Sequence, residues 1–176
     1  MYQKIAEIGA KAFGKARFFK VGFNLSPMYR RSTAKIIEVD EEMTFVRTRL
    51  PISYKNKNYV GSIFGGSLFA AVDPIPMVQL INLLDSQYVV WDKSAEIYFR
   101  APAREDVYAD FSYSQEELQD IRRAVEAEYE TEIVKVTQLT SKDRSKVYCE
   151  VRKTIYVASK AHYKAKLAAR RAKRNR

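Results

Sequence analysis

The chain has 176 residues, 47% of them apolar and 30% charged, which suits a soluble protein long enough to bury a real core. A single cysteine, Cys149, excludes a disulfide framework, and with only one histidine, His162, the chain lacks the ligand set of a zinc site. The formal net charge is +10, but eight of the 31 Lys and Arg fall in residues 160–176, which hold no acid, leaving 23 against 21 Asp and Glu.

The basicity is therefore a property of the C-terminal tail. Such a tail attracts nucleic acid, anionic lipid or an anionic substrate, or it is a solvated helix that aids solubility. Solvation is the reading preferred here, because one aromatic, Tyr163, offers little for base stacking.

Ile5, Ile8, Ala12, Phe13, Ala16 and Phe19 recur at helical spacing, so residues 2–20 read as an amphipathic helix, which Ser26-Pro27 cannot continue. The first twenty residues hold no signal-peptide apolar block, and a cytoplasmic location is expected. Segments 34–40 and 44–50 are β-rich and read as a hairpin, and 53–62 as a polar loop. Residues 64–84 have the length and apolar density of a buried helix; Asp73, Pro74, Pro76, Gln79 and Asn82 make them a poor bilayer span.

Residues 88–91 read as a short strand. Ala95, Ile97 and Phe99 alternate, as do Val107, Ala109, Phe111 and Tyr113. Ser114-Gln-Glu-Glu117 is a capping-box pattern that starts a short helix with Leu118, Ile121 and Val125 on its apolar side. Two strands, about 131–140 and 146–158, close the body around a turn at 141–144, with Val147, Cys149, Val151, Ile155 and Val157 facing one way. Cys149 reads as a buried structural thiol rather than a nucleophile. Nothing repeats and no linker divides the chain, so residues 1–159 form one expected domain and 160–176 a tail. The class is α+β: an antiparallel sheet wrapped around one long central helix, with an N-terminal helix and a short inserted helix.

The stretch from Asn58 to Pro74 is the candidate site. Gly65-Gly66 opens the central helix, where backbone N–H groups are unpaired and a ligand can approach closely. A developing oxyanion would be stabilised there, or the glycines serve tight packing. Asp73 lies in an otherwise apolar run, either as a working acid or as the residue before a proline kink. Eight residues separate Gly65 from Asp73, about 12 Å along a helix. One carbonyl cannot meet both in one chain. If they cooperate, two copies of the helix must run antiparallel across a two-fold axis and share two sites.

At this point the residues resemble a family. Asn58-x-x-Gly61-x-x-Phe64-Gly65-Gly66 followed by Asp73 resembles the central-helix signature of the hotdog-fold acyl-CoA thioesterases, in the phenylacetyl-CoA branch, where the pattern has His in place of Phe64. The strand ending Arg100-Ala-Pro-Ala103 is similar to the family strand that closes on a Pro-Ala turn. The resemblance covers about residues 34–158. It implies that the Gly65 N–H, with Gly66, polarises the thioester carbonyl, that Asp73 of the other subunit is nucleophile or general base, and that Asn58 orients substrate or water. Phe64 would wall the acyl pocket. Asp92, with Ser94 two residues on, falls where the family holds its water, and Lys93, which flanks the site in sequence, either meets the phosphates of coenzyme A or is simply solvated. No cofactor is implied beyond the coenzyme A thioester itself, and the assembly is a homodimer or a dimer of dimers. Related hotdog dehydratases need a catalytic His that this region lacks. The competing reading is a non-catalytic acyl-thioester-binding or interaction protein on the same scaffold.

Overall fold

The computed structural model describes residues 14–174. The expected helix at 2–20 falls within them only from Lys15 onward; its first part lies outside the described residues. Gly14, at φ +79°, opens α1 (Lys15–Leu25), which runs five residues further than expected and stops at Ser26. A single turn, α2 (Pro27–Arg30), follows, with proline in its first turn, where a missing N–H costs nothing.

The hairpin is β1 (Lys35–Val39) and β2 (Phe45–Leu50), paired antiparallel. Then comes the apolar rod, as two segments, α3 (Gly65–Val72) and α4 (Pro74–Leu83). Asp73 between them keeps helical dihedrals, φ −49° and ψ −52°, so the chain passes through without breaking. Proline at the first position of α4 is tolerated for the same reason as in α2. The rod buries Leu68, Ala71, Val72, Ile75, Pro76, Gln79 and Leu80.

Four more elements complete the sheet. These are β3 (Tyr88–Phe99), β4 (Val107–Ser112), β5 (Glu130–Thr140) and β6 (Val147–Ser159), with α5 (Gln115–Glu128) between β4 and β5. The strand order is β1-β2-β4-β5-β6-β3, every neighbouring pair antiparallel. Val46, Leu50, Val107, Ala109, Phe111, Leu139, Cys149 and Val151 are buried against the rod in one apolar cluster. A second cluster joins Leu80 and Leu84 to Leu118, Ile121 and Val125 of α5 and to Ile155 and Val157 of β6. Two buried tyrosines, one on α2 and one just after β4, are bonded to the rod: the Tyr29 hydroxyl donates to the Ala71 carbonyl at 2.9 Å, and Tyr113 to the Pro76 carbonyl at 3.0 Å. Burial raises both phenol pKa values, so both remain neutral donors. An antiparallel sheet wrapped around a long central helix, with an N-terminal and an inserted helix, is the hotdog fold.

Two local expectations need correction. First, residues 88–91 and 95–99 are one strand. A β-bulge between Asp92 and Ser94 interrupts its register with β6 without ending the pairing. Second, the capping box is half formed. Ser114 Oγ accepts from the Glu117 N–H at 3.0 Å, but the Glu117 carboxylate pairs with Lys135 (2.7 and 2.9 Å) instead of returning to Ser114. Ser114→Ala is expected to cost about 1 kcal/mol, read as a lower urea midpoint with an unchanged slope. The basic tail is a helix through most of its length. This is α6 (Lys160–Arg174), docked by its first turns only. The His162 ring stacks on Tyr129 at 5.8 Å, and Lys166 and Tyr156 both donate to Glu130, holding that carboxyl down at about 2. From Ala168 to Arg174 every residue is exposed.

Candidate functional site

The loop before the rod is built on two asparagines. Asn56 is buried; its side chain accepts from Ser53 N–H (2.8 Å) and donates to the Pro51 carbonyl and to Thr33 Oγ1 (both 2.8 Å). Its own carbonyl receives the Phe64 N–H at 2.8 Å, which fixes the entry to α3. Asn58 folds the turn that follows. Its Oδ1 accepts from Val60 and Ser62 N–H, and its Nδ2 donates to Ser62 Oγ at 3.0 Å. Gly61 sits at φ +82° to close that turn, a conformation side chains resist. The hydrogen bonds of the Asn58 side chain thus go to its own loop.

Phe64 is the cap residue of α3, extended at φ −61° and ψ 134°, with no side chain capping the helix. Its carbonyl takes the N–H groups of Ser67 and Leu68. The N–H groups of Gly65 and Gly66 meet no acceptor among the described residues, so the helix presents two free donors and its positive end. Both glycines also lie beneath aromatic rings. A Cβ at Gly65 would fall 2.7 Å from the ring of Phe99, and one at Gly66 would fall 2.3 Å from the ring of Phe64. Close packing and open donors therefore coexist, since the rings cover the Cα positions and are themselves each 59% exposed.

Asp73 lies at the far end of α3. Its side chain is 42% exposed, and Oδ1 accepts from Lys153 Nζ at 2.6 Å. Lys153 also donates to the Asp73 carbonyl and, at 2.8 Å, to Asp92 Oδ2. The lysine side chain is 3% exposed, at the middle of the inward face of β6. Asp92, opposite Ile155, joins this cluster from β3.

The bulge moves the next two residues away. In a regular strand Asp92 and Ser94 would share a face. The extra residue puts Ser94 across from Thr154, and the Lys93 ammonium pairs with Glu132, both on the outer face of the sheet. Lys93 and Ser94 are therefore on the opposite side of the sheet from Asp73. Asp92 is on the Asp73 side, as a partner of the lysine. His162 and Glu130 lie with α6 on the outer side, 3.4 Å apart. Burial pushes the Cys149 thiol up to about 11, which makes it a poor nucleophile. A surface cleft of about 770 Å³ between α5 and α6, lined by Arg122, Tyr129 and His162 among others, includes neither Gly65 nor Asp73.

Two residues of this constellation escape a reading of the sequence. Lys153 has the parity of Val151 and Ile155, and that parity was its only local signal. Phe99 is visible as the last of the alternating set on β3, but its contact with Gly65 joins positions far apart in the chain.

A family model described as a domain of unknown function, DUF4442, matches residues 14–157. No curated protein matches the sequence. Among solved structures, the chain is similar to PA5026 of Pseudomonas aeruginosa, described as a protein of unknown function and probable thioesterase. The two share 22% identity and a TM-score of 0.69, over 80% of this chain and 95% of that one. It is also similar to the thioesterase HI1161 of Haemophilus influenzae, at 15% identity and a TM-score of 0.57 over 82% and 90% of the two chains. A mutant form of the thioesterase PA1618 of Pseudomonas aeruginosa follows, at 14% identity and a TM-score of 0.59 over 80% and 92%. At these identities the likeness is one of fold.

Proposed function

The chain belongs to the DUF4442 family, a domain family of unknown function, and from that premise we propose that it hydrolyses acyl-CoA thioesters at two sites shared across a homodimer. The observation that carries this reading is the arrangement of free donors and acid on one rod. Two unpaired N–H groups stand at Gly65 and Gly66, and a half-exposed carboxylate stands at Asp73, eight residues on. About 12 Å of helix separates them, so one thioester meets both only across two chains.

β3 supplies the way to bring two chains together. It is the last strand of the sheet, twelve residues long, with no partner on its outer edge among the described residues. Such an edge is a template for pairing with another strand. β3 also spans the site: Asp92 lies by Asp73 through Lys153, and Phe99 lies on Gly65. Antiparallel pairing of two β3 strands about a two-fold axis at Glu96 sets Ala95 opposite the partner's Ile97, on one face, and brings Phe99 to the partner's bulge beside Asp92. That register carries Asp73 of each chain toward the partner's Gly65.

The chemistry follows from the groups. The thioester oxygen accepts from Gly65 and Gly66 N–H, and each such donor is worth about 3–4 kcal/mol once the oxygen carries charge. Asp73 acts as nucleophile on the carbonyl carbon or takes the proton of the attacking water. The C–S bond breaks and the thiolate of coenzyme A departs, leaving the free acid when water attacked, or an anhydride on Asp73 that water then opens to acid and carboxylate. Phe64 and Phe99 offer apolar surface beside the donors. The likeness to thioesterases of the same fold agrees with this reading.

Phe64, where the resembling signature carries His, favours a second reading, in which the same groove binds an acyl thioester without cleaving it. One assay separates the two. The purified chain is offered acyl-CoA thioesters of graded chain length and phenylacetyl-CoA, and both bound thioester and free thiol are measured. Steady thiol release is expected on at least one of them. Binding without release selects the second reading, and neither binding nor release rejects both.

A further inference from the structure

We propose that Lys153 is the positioning residue of this site: it fixes the Asp73 carboxylate so that one oxygen is held and the other faces outward. The proposal deepens the reading of Asp73 given above and rests on it. The inward face of β6 is otherwise apolar, with Cys149, Val151, Ile155 and Val157 all buried. An ammonium in that row is unfavourable unless every proton is paired. Lys153 has three N–H donors, and three acceptors meet them: the Asp73 carbonyl, Asp73 Oδ1 at 2.6 Å and Asp92 Oδ2 at 2.8 Å. None is left for a substrate, so Lys153 acts through Asp73.

Two of the three bonds fall on the same residue. One holds the backbone of the rod where α3 meets α4, and the other holds the side chain. Asp73 makes no other side-chain hydrogen bond among the described residues, so this ammonium is the one polar group there that holds its rotamer. With Oδ1 bound, Oδ2 is the oxygen left for water or the carbonyl carbon. Asp92 anchors the lysine from the opposite side. The bulge serves this, because it keeps Asp92 inward while Ala95, a small residue, stands across from Lys153. Stability alone does not call for such a cluster, since apolar residues of similar volume commonly serve as well in a core.

The test uses Lys153→Met alone and with Asp92→Asn; the pair removes one charge of each sign and spares the fold if the single change leaves two unpaired carboxylates. Each is expected to lower kcat for the preferred acyl-CoA about 10²-fold, the effect of misplacing a reacting group by about 1 Å, with KM within about twofold. Placed in an Asp73→Asn background, Lys153→Met is expected to change the residual rate less than about twofold, because its effect runs through that carboxylate. A crystal structure of the paired variant is expected to show the Asp73 carboxylate in a new or split rotamer. A full additional loss in the Asp73→Asn background overturns the proposal, and so does an unmoved carboxylate. If the wild type hydrolyses no acyl-CoA thioester, the thioesterase reading fails separately, and the position of the Asp73 carboxylate still decides the role of Lys153.

Discussion

Asp73→Asn is expected to lower kcat for acyl-CoA hydrolysis by about 10³-fold, with KM little changed. An amide of the same shape neither attacks a thioester nor takes a proton from water, and a positioned base contributes about 10²–10⁴-fold. The fold should survive the change. Asp73 is half-exposed, and its loss leaves Lys153 paired with Asp92 alone, one ammonium against one carboxylate. Circular dichroism and the thermal midpoint check that survival, and thiol release checks the rate. Turnover within tenfold of wild type removes Asp73 from the mechanism and leaves the fold assignment standing. The same substitution made in a merely binding protein changes no rate, because there is none to change.

Features carried by one element at a time are legible in this sequence. The rod is readable from apolar density over some twenty residues, the start of α5 from Ser114, and the inward face of β6 from its alternation. The half-site logic is readable too, because Gly65 and Asp73 lie on one helix and helical rise converts their spacing into distance. What joins the elements is not legible. Lys153 is 80 residues from Asp73 and 61 from Asp92, so no local pattern announces the cluster, and a lysine in an alternating strand reads by default as solvated. The bulge in β3 has no side-chain signature in Trp-Asp-Lys-Ser, yet it decides which of Asp92, Lys93 and Ser94 faces Asp73. The closeness of Phe99 to Gly65 likewise depends on where β3 passes over the rod. A resemblance in motif transfers residue types. It does not transfer the backbone irregularity that aims them.

Mixing two inactive variants should restore activity. Gly65→Ala places a methyl group 2.7 Å from the Phe99 ring, which must swing aside. The ring is exposed, so the fold accommodates it, but methyl and ring then crowd the space over the free donors. Loss of one such donor costs about 10²–10³-fold in kcat. Alone, each of Gly65→Ala and Asp73→Asn has two defective sites per dimer. In a mixed dimer with shared sites, one site collects both defects, and the other takes Gly65 from one chain and Asp73 from the other, both intact. Equal mixing with free subunit exchange makes half of the dimers mixed, so about a quarter of all sites are whole. Co-expressed variants are therefore expected to reach about a quarter of wild-type activity, roughly a hundredfold above either parent. If each site lies within one chain, every chain carries one defect and the mixture shows only the mean of its parents. Restoration also depends on β3 pairing, so a proline at Ala95, beside the proposed two-fold axis, should abolish it along with the dimer seen in sedimentation. Recovery that survives the loss of that dimer would place the second chain on some other face.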